Sequence, residues 1–158
     1  MNSSLSEVDF IIRLGVAFGL GILIGIEREY RKADAGLRTT ALVSAGAAMF
    51  VLATYQFLPV GEASPSRILA GVVAGVGFLG AGVIFKDRTD VHGLTTAATI
   101  WCAAAIGSLA GVGLLKQAAY STVIVLIATF ALRPLSKSIE RKRQSDFRRE
   151  KEAEQGDS

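Results

Sequence analysis

Charged residues are nearly absent from several long stretches of this sequence, and this pattern restricts the fold more than any other feature. Residues 94–132 contain a single charged residue, Lys116, although charged residues make up 20% of the chain. A helix of about 20 apolar residues crosses a bilayer, whereas soluble domains rarely contain uncharged apolar runs of that length. The sequence therefore predicts a polytopic membrane protein and excludes a soluble globule.

Five transmembrane helices are predicted, so the expected fold class is all-α, a polytopic membrane helical bundle. The predicted spans are Phe10–Ile26, Thr39–Leu58, Ile68–Phe85, Leu94–Gly111 and Leu114–Leu132. The last two are separated at the glycine-containing turn 111–113, because the apolar stretch there is about twice as long as one crossing. Residues 1–132 are expected to form the transmembrane domain, and residues 133–158 a basic cytoplasmic tail.

Basic residues lie mostly on one side of this arrangement. Fourteen of the 17 Lys and Arg residues fall in the loops after the first and third spans or in the tail, whereas Arg67 and Lys116 lie on the other side. Cytoplasmic loops are enriched in Lys and Arg, so the N-terminus is predicted outside and the C-terminus in the cytoplasm. This bias accounts for the net charge of +3, and no nucleic-acid partner is expected.

The side chains that carry most enzyme chemistry are scarce. One cysteine, Cys102, cannot form an internal disulfide, and with one histidine, His92, it cannot supply the four ligands of a usual zinc site. No nucleophile–base pair, phosphate loop or metal triad stands out. We predict that the chain is no enzyme and needs no cofactor, with Mg²⁺ entering only as a ligand or substrate.

Glycines recur four positions apart in the predicted spans. The pairs are Gly15/Gly19, Gly21/Gly25, Gly71/Gly75 and Gly107/Gly111. This spacing places both glycines on one helix face, where neighbouring backbones can approach closely. We interpret these faces as packing surfaces rather than a pore lining, available also to a membrane partner or a second copy of the chain.

Two segments of the sequence resemble each other. Leu20–Ile26, a charged loop and Gly36–Ala41 match Leu79–Phe85, a charged loop and Gly93–Ala97. Each would form a helical hairpin of the same orientation, as in parallel repeats, with binding sites where the repeats meet. The alternative is chance similarity between low-complexity apolar segments. The expected bundle therefore has two repeated hairpins and a fifth helix.

The second helix of each hairpin begins near a threonine. Thr39 and Thr95 are predicted to cap these helices by accepting hydrogen bonds from free N–H groups. The positive helix end favours an anion, either a phosphate, a lipid headgroup or a carboxylate of the chain. The carboxylate is favoured, with Glu27, Asp87 and Asp90 as candidates.

A charged stretch follows the first span without a helix breaker, so helix one is predicted to continue to Gly36. Glu27 and Arg31 lie four positions apart in it and are expected to pair. The alternative makes Glu27 and Asp87 metal ligands at the mouth of a cation path, because Mg²⁺ prefers oxygen ligands and keeps several waters.

Two residues inside the spans need their own interpretation. Arg13 lies near the outer end of span one and is expected to snorkel outwards. Trp101 lies too deep in span four for an interfacial aromatic belt, and with Cys102 it is predicted to belong to the core.

Four motifs together resemble the MgtC/SapB family of bacterial inner-membrane proteins, in order and spacing, over residues 10 to about 115. They are Gly21-x3-Gly25-x-Glu27-Arg28-Glu29, Ala35-Gly36-Leu37-Arg38-Thr39, Gly77-Phe78-Leu79-Gly80-Ala81-Gly82-Val83-Ile84 and Gly93-Leu94-Thr95-Thr96-Ala97-Ala98-Thr99-Ile100-Trp101. The resemblance implies a small five-span protein linked to magnesium limitation and, in pathogens, to survival inside macrophages. It implies no established transport reaction.

Two departures from the family pattern limit what carries over. The chain ends in a short basic tail, as in the SapB-like branch, where other members have a soluble ACT-like domain. Thr95 stands where MgtC-type members have Asn, so a pathogen-type role is not carried over.

We predict a non-enzymatic inner-membrane protein of magnesium or ion homeostasis that acts through contacts with a membrane partner. The alternatives are a transporter or channel for Mg²⁺ or another small cation, and lipid-headgroup binding at the two helix N-termini.

Overall fold

The computed structural model describes residues 5–57, 65–87 and 90–132. The elements are α1 (Glu7–Tyr30), α2 (Leu37–Phe57), α3 (Pro65–Gly82), β1 (Phe85–Lys86), β2 (Val91–His92), α4 (Leu94–Val112) and α5 (Leu115–Leu132). The chain divides into two compact units, Met1–Val125 and Leu126–Ser158. The first unit contains α1 to α4 and the start of α5. The rest of α5 is the described part of the second unit, and the predicted basic tail lies outside the described residues.

The predicted all-α membrane bundle is confirmed. Four helices, α1, α2, α4 and α5, are long and apolar enough to cross a membrane, and α3 contributes a shorter apolar stretch, Ser66–Gly82. Four of the five predicted spans overlap the observed helices along most of their length, and α4 extends only one residue beyond its predicted end, Gly111.

The end of the third predicted span is wrong. Its helix stops at Gly82, and the following residues form a short antiparallel hairpin in which Phe85 pairs with His92. The two rings are stacked with their centroids 5.2 Å apart. Valine, isoleucine and phenylalanine favour extended backbone, so an apolar run of these residues after a glycine suits a strand as well as a helix.

The close packing predicted for glycine pairs holds for two of the four pairs. A Cβ atom on Gly21 would lie 2.8 Å from the Cα atom of Ala41 on α2, and one on Gly111 would lie 3.0 Å from the Ala48 carbonyl oxygen. Gly25 and Gly107 are packed just as closely against α2. These pairs pack both α1 and α4 closely against α2, and α1 and α4 also contact each other.

The other two pairs pack against no neighbouring helix within the described chain, and their role in contact with a partner stays a prediction. A Cβ atom on any of these four glycines would meet nothing within 4 Å: Gly15, Gly19, Gly71 and Gly75. The i, i+4 spacing places two glycines on one helix face but does not say whether that face turns towards a neighbouring helix.

Two buried hydroxyl groups on α2 bond directly to α1. The Thr40 hydroxyl donates to the Gly21 carbonyl at 2.9 Å, and the Ser44 hydroxyl donates to the Ala17 carbonyl at 2.7 Å. Thr40 and Ser44 are fully buried. Hydroxyl groups at such positions hold transmembrane helices together where lipid provides no hydrophobic drive.

The two hairpins make the same contact at equivalent positions of the repeat. Gly21 packs on Ala41 in the first hairpin, and Gly80 faces Ala97 in the second, where an added Cβ atom would lie 3.6 Å from the alanine Cβ. The repeats then diverge, because α3 stops at Gly82 while α1 continues seven residues beyond Leu23, the position that corresponds to Gly82. The two hairpins therefore share this glycine–alanine contact and differ in the length of their first helices.

Arg13 does not merely snorkel outwards. Its Nη1 atom donates to the Gly111 and Val112 carbonyl oxygens at 3.3 and 3.0 Å. The last carbonyls of a helix lack partners in the helix and carry partial negative charge, so a guanidinium is stabilised there. Gly113 ends α4 with φ of 101°, which confirms the predicted turn, and Arg13 ties that end to α1.

A candidate site where the two hairpins meet

The end of α1 turns back earlier than predicted and brings Glu29 to the start of α2. Helix α1 ends at Tyr30 rather than near Gly36, because Lys32 adopts a left-handed conformation with φ of 52°. The reversal lets Glu29 Oε2 accept a hydrogen bond from the Leu37 backbone N–H at 3.2 Å. The carboxylate that caps α2 is therefore Glu29, and the prediction of Glu27, Asp87 or Asp90 is wrong at this helix.

This arrangement explains the motif glycine Gly36. A Cβ atom there would overlap the Glu29 carboxylate, so a side chain at this position would displace the cap. Negative charge at a helix N-terminus interacts favourably with the free N–H groups. The Glu29 carboxylate therefore occupies one of the free N–H groups to which an external anion could otherwise bind.

Glu27 and Arg31 form the predicted i, i+4 ion pair, between Glu27 Oε1 and Arg31 Nε. Their side chains are 3% and 16% exposed, so the pair is largely withdrawn from solvent. Glu27 Oε2 is buried and accepts no hydrogen bond from the described residues. A charge at such a position is costly without a partner, so the ion pair with Arg31 offsets part of the cost of burying this carboxylate.

Arg28 joins the two hairpins. It lies one residue after Glu27 on α1, is 7% exposed, and donates from Nη2 to the Thr96 hydroxyl of α4 at 3.1 Å. Arg28 and Thr96 come from the corresponding ends of the first and second hairpins. The predicted meeting point of the repeats is thus a buried polar contact between two motif residues.

Thr96→Val is expected to destabilise the protein by about 1–3 kcal/mol, because it leaves a buried guanidinium group without the hydroxyl that accepts its hydrogen bond. Valine keeps the shape of threonine, so the change tests the hydrogen bond alone. Thr95→Val is the matched control, since Thr95 is exposed. Thermal unfolding of the purified variants in detergent measures both, and equal midpoints would contradict the role assigned to the contact.

The predicted threonine caps are wrong. Helix α2 begins at Leu37 and α4 at Leu94, so Thr39 and Thr95 lie within the first turns, and both are exposed. The N-cap of α4 is Gly93, with φ of 83° and no side-chain hydrogen bond. A Cβ atom on Gly93 would overlap the Val83 carbonyl. The close approach of Val83 therefore requires a glycine at this position.

The remaining motif residues lie around this contact or away from it. Arg38 is exposed on the first turn of α2, and Gly82 ends α3 with nothing within 4 Å of an added Cβ atom. Trp101 is 50% exposed, so its prediction as a core residue is wrong. The neighbouring Ile100 faces the core instead, and a large apolar side chain on the outside of a membrane bundle meets lipid that is equally apolar.

Glu27 and Asp87, the predicted metal ligands, lie in different environments. Glu27 is buried and paired with Arg31, whereas Asp87 is exposed beside β1, where its N–H donates to the Asp90 carbonyl at 2.9 Å. Among residues 5–57, 65–87 and 90–132, no group of three or more His, Cys, Asp or Glu side chains could hold a metal ion. A magnesium site at Glu27 and Asp87 stays a prediction.

Sequence reasoning missed the two hydroxyl residues that join α1 to α2. Thr40 and Ser44 are four positions apart, as are Ala17 and Gly21, whose carbonyls accept from them. The matched spacing of hydroxyl residues on one helix and small residues on the next was present in the sequence. Chemically, the described site contains the Glu27–Arg31 ion pair within α1 and hydrogen bonds that join α1 to α2 and to α4.

Comparison with known proteins identifies close relatives. A family described as the MgtC family matches residues 14–138. An uncharacterized protein of Synechocystis is 52% identical over 126 residues, which cover 80% of this chain and 53% of that protein. Protein MgtC of Brucella abortus is 51% identical over 127 residues, which cover 80% of this chain and 52% of that protein. Protein MgtC of Salmonella typhimurium is 48% identical over 139 residues, which cover 88% of this chain and 59% of that protein. The chain thus spans about half the length of these curated relatives, and no solved structure matches it significantly.

Proposed function

The chain belongs to the MgtC family, and from this premise we propose that it is a non-enzymatic inner-membrane protein of magnesium homeostasis that acts by contacting a second membrane protein. The observation that carries the proposal is an exposed face of small residues on α3. Its members are Ala70, Ala74, Gly77 and Ala81, called here the α3 small face.

The α3 small face has the features of a helix–helix contact without a helix packed on it within the described chain. Of residues 66–82, only Val76 and Gly80 are buried. A Cβ atom on Gly77 would meet nothing within 4 Å. The exposed surface of α1, by contrast, presents large side chains such as Phe18 and Leu23. Small residues spaced four apart let a partner backbone approach closely, which is how helices associate in lipid.

Two alternatives receive less support. A cation path would require Glu27 to bind an ion, but its charge is already balanced by Arg31, and Asp87 is exposed on a hairpin. Headgroup binding at the start of α2 would compete with the Glu29 carboxylate. The Glu27–Arg31 pair and the Glu29 cap both occupy groups that a ligand would otherwise need. They therefore support a protein that acts through its exposed helix surface.

Gly77→Leu is expected to abolish partner contact and growth of cells at low Mg²⁺, because its side chain would hold any approaching helix away from α3. Site-specific photocrosslinking from Ala74 in native membranes measures the contact. The matched control is Gly15→Leu, since Gly15 is also exposed with nothing within 4 Å of an added Cβ atom. A folded Gly77→Leu protein that retains crosslinks and growth would contradict the proposal.

Flux measurements distinguish the proposal from the transporter alternative. Purified protein in liposomes is expected to move no more Mg²⁺ than empty liposomes, with Glu27→Gln behaving in the same way. Flux in the unaltered protein that is lost in Glu27→Gln would establish a cation path and overturn the proposal.

A further inference from the structure

A groove between α2 and α3 opens on the outside of the bundle. Its volume is about 620 Å³, within the range of about 300–1,000 Å³ found for small-molecule sites. Leu42 and Phe50 line it on α2, and Ile68 and Leu79 line it on α3. The groove does not include the α3 small face, so it is independent of the proposed partner contact.

The groove exists because three of its lining residues lack side chains. Gly46, Gly71 and Gly75 line it, and a Cβ atom on any of them would meet nothing within 4 Å. In a closely packed membrane interface, glycines are where two backbones touch. Here the same residue type leaves space between two helices.

One charged residue, Arg67, lies among the lining residues, which are otherwise apolar. Arg67 is exposed in the first turn of α3, and the described residues include no ion-pair partner for it. A cation near the end of a membrane helix lies at the depth of lipid headgroups, and its planar guanidinium matches the oxygens of a phosphate. The groove thus combines a long apolar surface with one positive end.

We propose that the groove binds an anionic phospholipid, with an acyl chain along the glycines of α2 and α3 and the headgroup phosphate at Arg67. Charge complementarity selects this occupant, because a free phosphate would gain nothing from the apolar walls. A partner helix would bury the apolar walls but would leave the Arg67 charge unmatched unless it carried an acidic residue at that position.

Quenching of a single tryptophan by brominated lipids tests the proposal on the full chain in liposomes. Trp101 is the sole tryptophan, so Trp101→Phe combined with Phe50→Trp places one reporter in the groove. We expect brominated phosphatidylglycerol to bind about fivefold more strongly than brominated phosphatidylcholine, since one basic residue near the membrane surface contributes that much to anionic lipid binding. Arg67→Gln is expected to reduce the ratio to about one.

Lys116→Gln is the matched control, because Lys116 is an exposed cation outside the groove, and it should leave the ratio unchanged. Leu42→Trp in the Trp101→Phe background serves as a second reporter should Phe50→Trp fail to fold, since Leu42 is 67% exposed. Equal binding of the two lipids, or a preference that survives Arg67→Gln, would overturn the proposal. Weak quenching by both lipids would also overturn it, because an acyl chain would then not occupy the groove.

Discussion

Gly107→Ala is expected to cost about 3 kcal/mol of stability, the upper end of the usual range for an overpacked core. The added methyl group would overlap the Ser44 carbonyl and lie 2.8 Å from the Ser44 Cα atom. These are backbone atoms of α2, so the clash cannot be relieved by rotating a side chain. The two helices must separate, and because Ser44 also bonds to Ala17 on α1, the movement disturbs a third helix.

Gly75→Ala is the control for this prediction, since an added Cβ atom at Gly75 meets nothing within 4 Å. Alanine favours a helix over glycine by roughly 1 kcal/mol, so this variant should be as stable as the unaltered protein or more stable. Unfolding of both variants in detergent, followed by circular dichroism, measures the difference. Similar stability of the two variants would show that α2 and α4 do not approach as closely as described.

Arg31→Met is expected to destabilise the protein by about 3 kcal/mol, because it leaves the buried Glu27 carboxylate without its ion-pair partner. Adding Glu27→Gln should restore much of the loss, since the amide carries no charge to bury. Glu27→Gln alone should cost less than Arg31→Met. The four proteins form a double-mutant cycle whose interaction energy is measured by equilibrium unfolding.

Lys32→Met is the matched control. It removes one positive charge from the same segment as Arg31→Met does, but Lys32 is exposed. It should change stability little. Additive effects of Glu27→Gln and Arg31→Met would mean that the two residues do not act as a pair. That result would also reopen the cation path, in which Glu27 is free to bind an ion.

The pattern of charged residues was sufficient to predict the membrane bundle and most helix bounds. Helices α4 and α5 were separated correctly at Gly113 because an apolar stretch too long for one crossing must turn at its flexible residues. The ion pair of Glu27 with Arg31 was also predictable, since the spacing of residues four apart is a property of the helix itself. The family resemblance was confirmed by relatives with about 50% identity.

Errors arose where the direction of a side chain depends on a neighbouring helix. Trp101 and Ile100 are adjacent in sequence and similarly apolar, yet one faces outwards and the other is buried. Both side chains are as apolar as lipid, so exposing either of them to lipid costs little free energy. Hydrophobicity therefore does not predict which face of a membrane helix is buried. For the same reason, Gly71 and Gly107 were given the same packing role.

The sequence by itself determined that this chain is a helical membrane protein, because the cost of placing charges in lipid restricts where spans can lie. It also determined local contacts such as the Glu27–Arg31 pair, which need one helix only. The tertiary structure alone decided that Arg28 meets Thr96, that Glu29 caps α2, and that a groove beside Arg67 remains open. Each of these depends on which faces of helices distant in sequence pack together. Small residues occur on several faces of each helix, so the sequence does not specify which face is used.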